Sequence, residues 1–91
     1  IAVDIPRNFW MTKKYLLSYS GEWISVSDKE ILTAEKTLSL NTGIFSEPAA
    51  ASAFAGFLKY LNSEKIEGNS KNVVLLTGSG LKDLKAVEKI I

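Results

Sequence analysis

Cysteine and histidine are both absent from this 91-residue chain. That removes disulfides, thiolate nucleophiles, zinc sites built on nitrogen or sulfur, and Ser-His or Cys-His catalysis within it. No charge of either sign dominates: 11 basic and 10 acidic residues leave a net charge of +1. Lysines and glutamates are interspersed, so there is no field to attract nucleic acid or an anionic membrane. No apolar run approaches the ~20 residues of a membrane span, and no charged-then-apolar leader opens the chain. A cytoplasmic setting is the expectation. Internal repeats and low-complexity tracts are missing too.

What remains is the composition of a globular protein, 46% hydrophobic and 23% charged. A chain of this length makes one domain at most and buries roughly 60–65% of its unfolded surface. It opens on Ile1, not methionine, and Ile1-Ala2-Val3-Asp4-Ile5 already alternates as a half-buried strand does. The expectation is therefore a piece of something longer, 1–91 being a single domain or a fragment.

Pro6 ends that first strand, since proline cannot donate to a sheet ladder. Phe9 to Tyr19 reads as a helix stopped by Gly21, and Trp23-Ile24-Ser25-Val26 as a second strand. Ser27-Asp28-Lys29-Glu30 is a capping box that starts a helix to about Leu40. On it Ile31, Ala34 and Leu38 point inward, and Lys29, Glu35 and Lys36 outward. Asn41-Thr42-Gly43 supplies the stop.

Pro48 suits the first turn of the next helix, which is apolar around most of its circumference from Ala49 to Leu61 and is expected to be buried. Its first turns are small side chains, which admit either a close-packed neighbour or a flat ligand. A polar loop, Glu64 to Lys71, leads to Val73-Val74-Leu75-Leu76, a continuous apolar run expected of a strand covered on both faces. A last helix is marked by Leu84, Val87 and Ile91 inside and Lys82, Lys85 and Lys89 outside. The order β-α-β-α-α-β-α predicts an α/β fold, a three-layer sheet with helices.

Two places carry candidate chemistry. Thr77-Gly78-Ser79-Gly80 follows the apolar run, where glycines permit close backbone approach and a helix start offers free amides to an anion. It has neither Walker-loop nor G-x-G-x-x-G spacing, and by itself it is more often a plain strand-to-helix turn. Glu47 precedes the small-residue helix, where the helix dipole favours a carboxylate; it serves either a ligand or the free amides of that helix. Pro6-Arg7-Asn8 offers an arginine and an amide for a carboxyl or phosphate group. Asp4, Asp28 and Asp83 show no pairing suited to acid–base work.

Taken together, Gly43-Ile44-Phe45-Ser46-Glu47-Pro48-Ala49-Ala50-Ala51-Ser52, the helix through Ala55-Gly56-Phe57-Leu58-Lys59, and Leu76-Thr77-Gly78-Ser79-Gly80-Leu81-Lys82-Asp83 resemble the carboxyl-terminal part of the threonine synthases. Val3-Asp4-Ile5-Pro6-Arg7-Asn8 fits more loosely. These are pyridoxal-phosphate enzymes of the tryptophan-synthase-β-like fold, fold type II. The resemblance implies that the cofactor is pyridoxal 5'-phosphate, that Thr77 meets its pyridine nitrogen, that Gly78 and Gly80 let the backbone pass the ring, and that Glu47 lies near the ring or supports its pocket. It implies an activity for the whole enzyme, O-phosphohomoserine and water going to threonine and phosphate. Leu84 departs from the proline common after Lys-Asp in that family.

The family's Schiff-base lysine and its glycine-rich phosphate loop are not in this chain, and no lysine here has the Ser-Phe-Lys context. The resemblance therefore implies a missing amino-terminal portion, no catalytic residue in this chain, and an inactive isolated piece. No metal, nucleic acid or membrane partner is expected, and assembly into a homo-oligomer is left open. Two other readings stay open: a threonine or serine dehydratase-like lyase, whose Glu-Pro-Ala pattern is shared, and a non-enzymatic α/β interaction module.

Overall fold

The computed structural model describes residues 1–88 of the chain. Lys89 and Ile91 of the expected last helix lie outside the described residues, as does the Val87 side chain.

Helix α1 spans Phe9–Ser18. It closes with Ser20 in the left-handed region at φ +55°, while the Gly21 amide donates to the Leu16 carbonyl at 2.7 Å. The left-handed position of this terminus thus falls on a serine, one residue before the glycine expected to stop the helix. The helix buries none of its residues.

Helix α2, Asp28–Thr42, begins at the box read from sequence. The Glu30 amide donates to Ser27 Oγ at 3.2 Å, and the Ser27 amide donates to the Glu30 carboxylate at 2.6 Å. That second bond, first among the causes, holds the Glu30 carboxyl below its ordinary value. Gly43 ends the helix in the left-handed region at φ +74°, its amide donating to the Ser39 carbonyl. Only glycine reaches that conformation without strain from a Cβ.

Helix α3, Pro48–Asn62, starts with its proline in the first turn, where the missing amide has no partner to lose. The core lies where α2 and α3 pack. Ile31 and Ala34 meet Ala51 and Ala55, with Val26, Phe54 and Leu58 around them. Alanine at these contacts lets the two helix backbones approach closely. At one end Lys59 links the pair, 3.6 Å from the Glu30 carboxylate and donating to the Ser25 carbonyl at 2.8 Å.

Two expectations about these helices change. Glu35 does not point outward; it is fully buried, and neither carboxylate oxygen has a hydrogen-bond partner among the described residues. Positions 31, 34, 35 and 38 form one i, i+3, i+4, i+7 stripe, so helical geometry places Glu35 inside whatever its polarity. Nor is α3 buried all round: Ala50, Ala51, Ala55 and Gly56 are buried, whereas Ala49, Ala53 and Leu61 are exposed. Among the described residues α2 is its one extensive helix partner, and one neighbour covers one face.

The three expected strands form no ladder. Residues 1–5, 23–26 and 71–77 run without regular secondary structure, and the pairing among the described residues is one isolated antiparallel bridge, Ser46 with Ser79. Val73-Val74-Leu75-Leu76 is not covered on both faces: Val74 and Leu76 are half-buried, while Val73 is 86% and Leu75 72% exposed. A strand draws its backbone hydrogen bonds from a neighbour, and among the described residues none of the three segments has a ladder partner. The resulting shape is a slab of 40 × 36 × 19 Å with a radius of gyration of 14.1 Å. A compact domain of this length has about 12 Å.

The chain then makes a short 3₁₀ turn, Gly80–Lys82, and a one-turn helix α4, Leu84–Val87. Asp83 starts α4, its carboxylate accepting from the Ala86 amide at 3.3 Å. Leu84 is the first helical residue, a position that tolerates leucine and proline alike.

Candidate functional site

The two segments that carry the candidate chemistry are far apart in sequence and meet in the structure. The Glu47 amide donates to the Gly78 carbonyl, and the Gly80 amide donates to the Phe45 carbonyl, both at 3.0 Å. These two bonds flank the Ser46–Ser79 bridge. They place the start of α3 against the end of the extended run, so Glu47, Thr77, Gly78 and Gly80 belong to one locus.

Each glycine of the motif has a partner within the chain. A Cβ on Gly78 would collide with the Glu47 carboxylate and stand 3.0 Å from Glu47 Cγ; a Cβ on Gly80 would stand 2.6 Å from Phe45 Cδ2. A side chain at Gly80 would force the Phe45 ring aside, whereas one at Gly78 would displace the mobile end of Glu47. Phe45, half-buried beside Gly80, carried no signal in the sequence because nothing there announces which side chain a glycine makes room for.

Glu47 stands at the N-cap of α3, yet its side chain makes no capping hydrogen bond. The simple role of satisfying free amides is therefore not the one it takes. Its carboxylate lies against Gly78 and 3.8 Å from Lys82 Nζ. Lys82, expected on the outer face of the last helix, lies instead in the 3₁₀ turn before it, and its pairing with Glu47 crosses between the two segments.

Thr77 is exposed, and its hydroxyl has no hydrogen-bond partner among the described residues. It is a neutral donor and acceptor at the end of an extended run. Ser79 is occupied locally, its hydroxyl accepting from the Leu81 amide at 3.3 Å. Ser46 is buried with its hydroxyl unpaired among the described residues. Below the site, burial pushes the Glu35 carboxyl up from its ordinary value, and the nearby Asp83 charge adds to the shift.

Arg7 and Asn8 are exposed, and Asn8 lines a separate groove with Pro6, Phe9, Thr12 and Trp23. A second groove, about 200 Å³, lies between Ile1, the start of α2, Pro48, Asp83 and Ala86. Among the described residues no cluster of three or more carboxylates is arranged to hold a metal ion, and no helix is long and apolar enough to cross a membrane. The locus holds a free hydroxyl, a carboxylate–ammonium pair and close-packed glycines. Among the described residues the locus contains no nucleophile paired with a base.

Residues 2–78 match the family model described as pyridoxal-phosphate dependent enzyme, a span that includes Glu47, Thr77 and Gly78. The threonine synthase of Methanocaldococcus jannaschii is 43% identical over 83 residues, 91% of this chain and 20% of that protein. The threonine synthase of Halalkalibacterium halodurans is 42% identical over 83 residues, 91% of this chain and 23% of its own length. That of Bacillus sp. (strain ULM1) is 44% identical over 63 residues, 69% of this chain and 18% of the relative. The chain thus spans about a fifth of the length of the curated relatives it matches.

Proposed function

Because the chain belongs to the pyridoxal-phosphate dependent enzyme family, we propose that it is the carboxyl-terminal part of a threonine synthase. The whole enzyme converts O-phosphohomoserine and water into threonine and phosphate, in the cytoplasm. The observation that carries this reading is the joining of Phe45-Ser46-Glu47 to Gly78-Ser79-Gly80. Two separated motifs of the resemblance form one locus, and the relatives match across both.

The residues present fit the cofactor. The Thr77 hydroxyl is exposed and unpaired among the described residues, as a partner for a pyridine nitrogen has to be. Gly78 and Gly80 add no side chains of their own there, and the room they leave is taken by Glu47 and Phe45. Thr77 would hold the ring nitrogen, with Gly78, Gly80 and Glu47 shaping that side of the pocket. The chemistry supplied by pyridoxal phosphate when bound is an electron sink. A neutral hydroxyl accepts or donates one hydrogen bond without keeping the ring nitrogen protonated, so Thr77 moderates that sink where a carboxylate would strengthen it.

The phosphate of the cofactor, its lysine and the substrate are held by residues outside this chain, so the 91 residues alone are inactive. Family membership supports an α/β class, and the three-layer sheet forms when strands from the remainder of the enzyme flank residues 1–5, 23–26 and 73–76. The exposed Val73 and Leu75 and the extended slab support a part of a larger fold over a self-contained module.

The test is a Thr77→Val substitution in the full-length enzyme. Loss of the hydroxyl should lower threonine formation from O-phosphohomoserine about tenfold or more, the scale of one hydrogen bond at a buried ligand. Circular dichroism should stay unchanged. Wild-type kinetics in this variant, or ammonia released from threonine by the unmodified enzyme at a higher rate than threonine is formed, would sink the proposal.

A further inference from the structure

Lys82 follows the motif at the end of the 3₁₀ turn, and its ammonium stands 3.8 Å from the Glu47 carboxylate. Three observations about Glu47 need a common cause. It occupies an N-cap position, where the free amides of α3 would attract a carboxylate, yet it makes no bond to them. Its carboxylate instead fills the space a side chain on Gly78 would need. And its backbone amide is one of the two bonds that join the segments. Lys82 is its cationic partner among the described residues, and it sits on the far segment.

On the threonine synthase reading above, we propose that Lys82 is a positioning residue for the Thr77 side of the cofactor pocket. Its ammonium draws the Glu47 carboxylate off the helix terminus and lays it against Gly78. The pair latches Phe45-Ser46-Glu47 to Gly78-Ser79-Gly80, which fixes where the extended run ends and so where the Thr77 hydroxyl stands. It also offsets the Glu47 charge beside a hydroxyl whose use depends on staying next to an unprotonated ring nitrogen. A lysine lacking this role would be an ordinary solvated charge, and its removal would change nothing at the loop.

The experiment uses the full-length enzyme carrying Lys82→Met, Lys82→Arg, Glu47→Gln or the Lys82→Met/Glu47→Gln pair. Hydrogen–deuterium exchange of the cofactor-free protein reads the Glu47 and Gly80 amides directly; fluorescence titration reads pyridoxal-phosphate affinity. Lys82→Met should speed exchange at both amides and weaken cofactor binding, each by roughly threefold to fivefold, the scale of one exposed ion pair. Glu47→Gln should match it, the double variant should lose no more than either single one, and Lys82→Arg should restore most of the loss. Raising salt should shrink the difference between wild type and Lys82→Met. Unchanged exchange at both amides in Lys82→Met, or losses that multiply in the double variant, would overturn the latch. An unmodified enzyme that binds no pyridoxal phosphate would overturn the functional reading instead, and the exchange data would still decide the role of Lys82.

Discussion

Helices α2 and α3 and the extended run 71–77 are comparable in apolar content and opposite in outcome. The helices meet their backbone hydrogen bonds internally, are capped by Ser27, Glu30 and Gly43, and bury Ile31, Ala34, Ala51 and Ala55 against one another. The run has Val73 and Leu75 facing solvent and makes no backbone hydrogen bond among the described residues until Gly78. A helix needs a neighbour only for its apolar face; a strand needs one for its backbone as well. The helix pair therefore forms as it stands, while the run stays without regular secondary structure among the described residues.

The comparison predicts where substitutions are felt. Ala51→Leu forces three carbons into the closest contact between α2 and α3, and should cost about 3 kcal/mol in denaturant unfolding. A loss below about 1 kcal/mol would mean that the helices are not tightly packed.

A smaller effect, of opposite sign, is expected from Glu35→Met. It removes a buried carboxylate that has no partner among the described residues, and should raise stability at pH 7 by about 1–2 kcal/mol. The pH dependence follows from burial, which raises this carboxyl in the folded state above 4.5. Between 4.5 and the higher folded value the native protein binds more protons than the unfolded chain, so stability falls as pH rises through that window. The fall should be present in the unmodified protein and absent in Glu35→Met; identical pH profiles would place Glu35 in contact with a cation or with water.

Least affected should be Val73→Lys, within about 0.5 kcal/mol, because the side chain is already in water. Its visible result should be weaker self-association in sedimentation. A cost above about 1 kcal/mol in the isolated chain would show that the run is paired in solution.

Local signals were legible in the sequence. Ser27 with Glu30, Gly43 and Pro48 each act within one helical turn, and the structure carries all three. Glu35 was misplaced because polarity was weighed above its i+4 relation to Ile31. Alternation in residues 1–5 and a continuous apolar run in 73–76 report surface to be buried, but not whether a neighbouring strand is there to bury it. At the site, Glu47 and the Thr77-Gly78-Ser79-Gly80 run were both visible as candidates. Their contact with each other was not, because it depends on where α3 turns the chain; nor were the contacts that Lys82 and Phe45 make across the two segments.

The Ser46–Ser79 bridge closes a loop that contains all of α3 and the extended run, on two backbone hydrogen bonds. The helix pair below it involves residues close in sequence, which chains bring together early, whereas a long closure held by so little is favoured only once its ends are already near. On loop-closure entropy alone, the helix pair is expected to form before the Thr77 end closes on Phe45-Ser46-Glu47. The Thr77 end of the chain is thus the part of the candidate locus with least holding it in place.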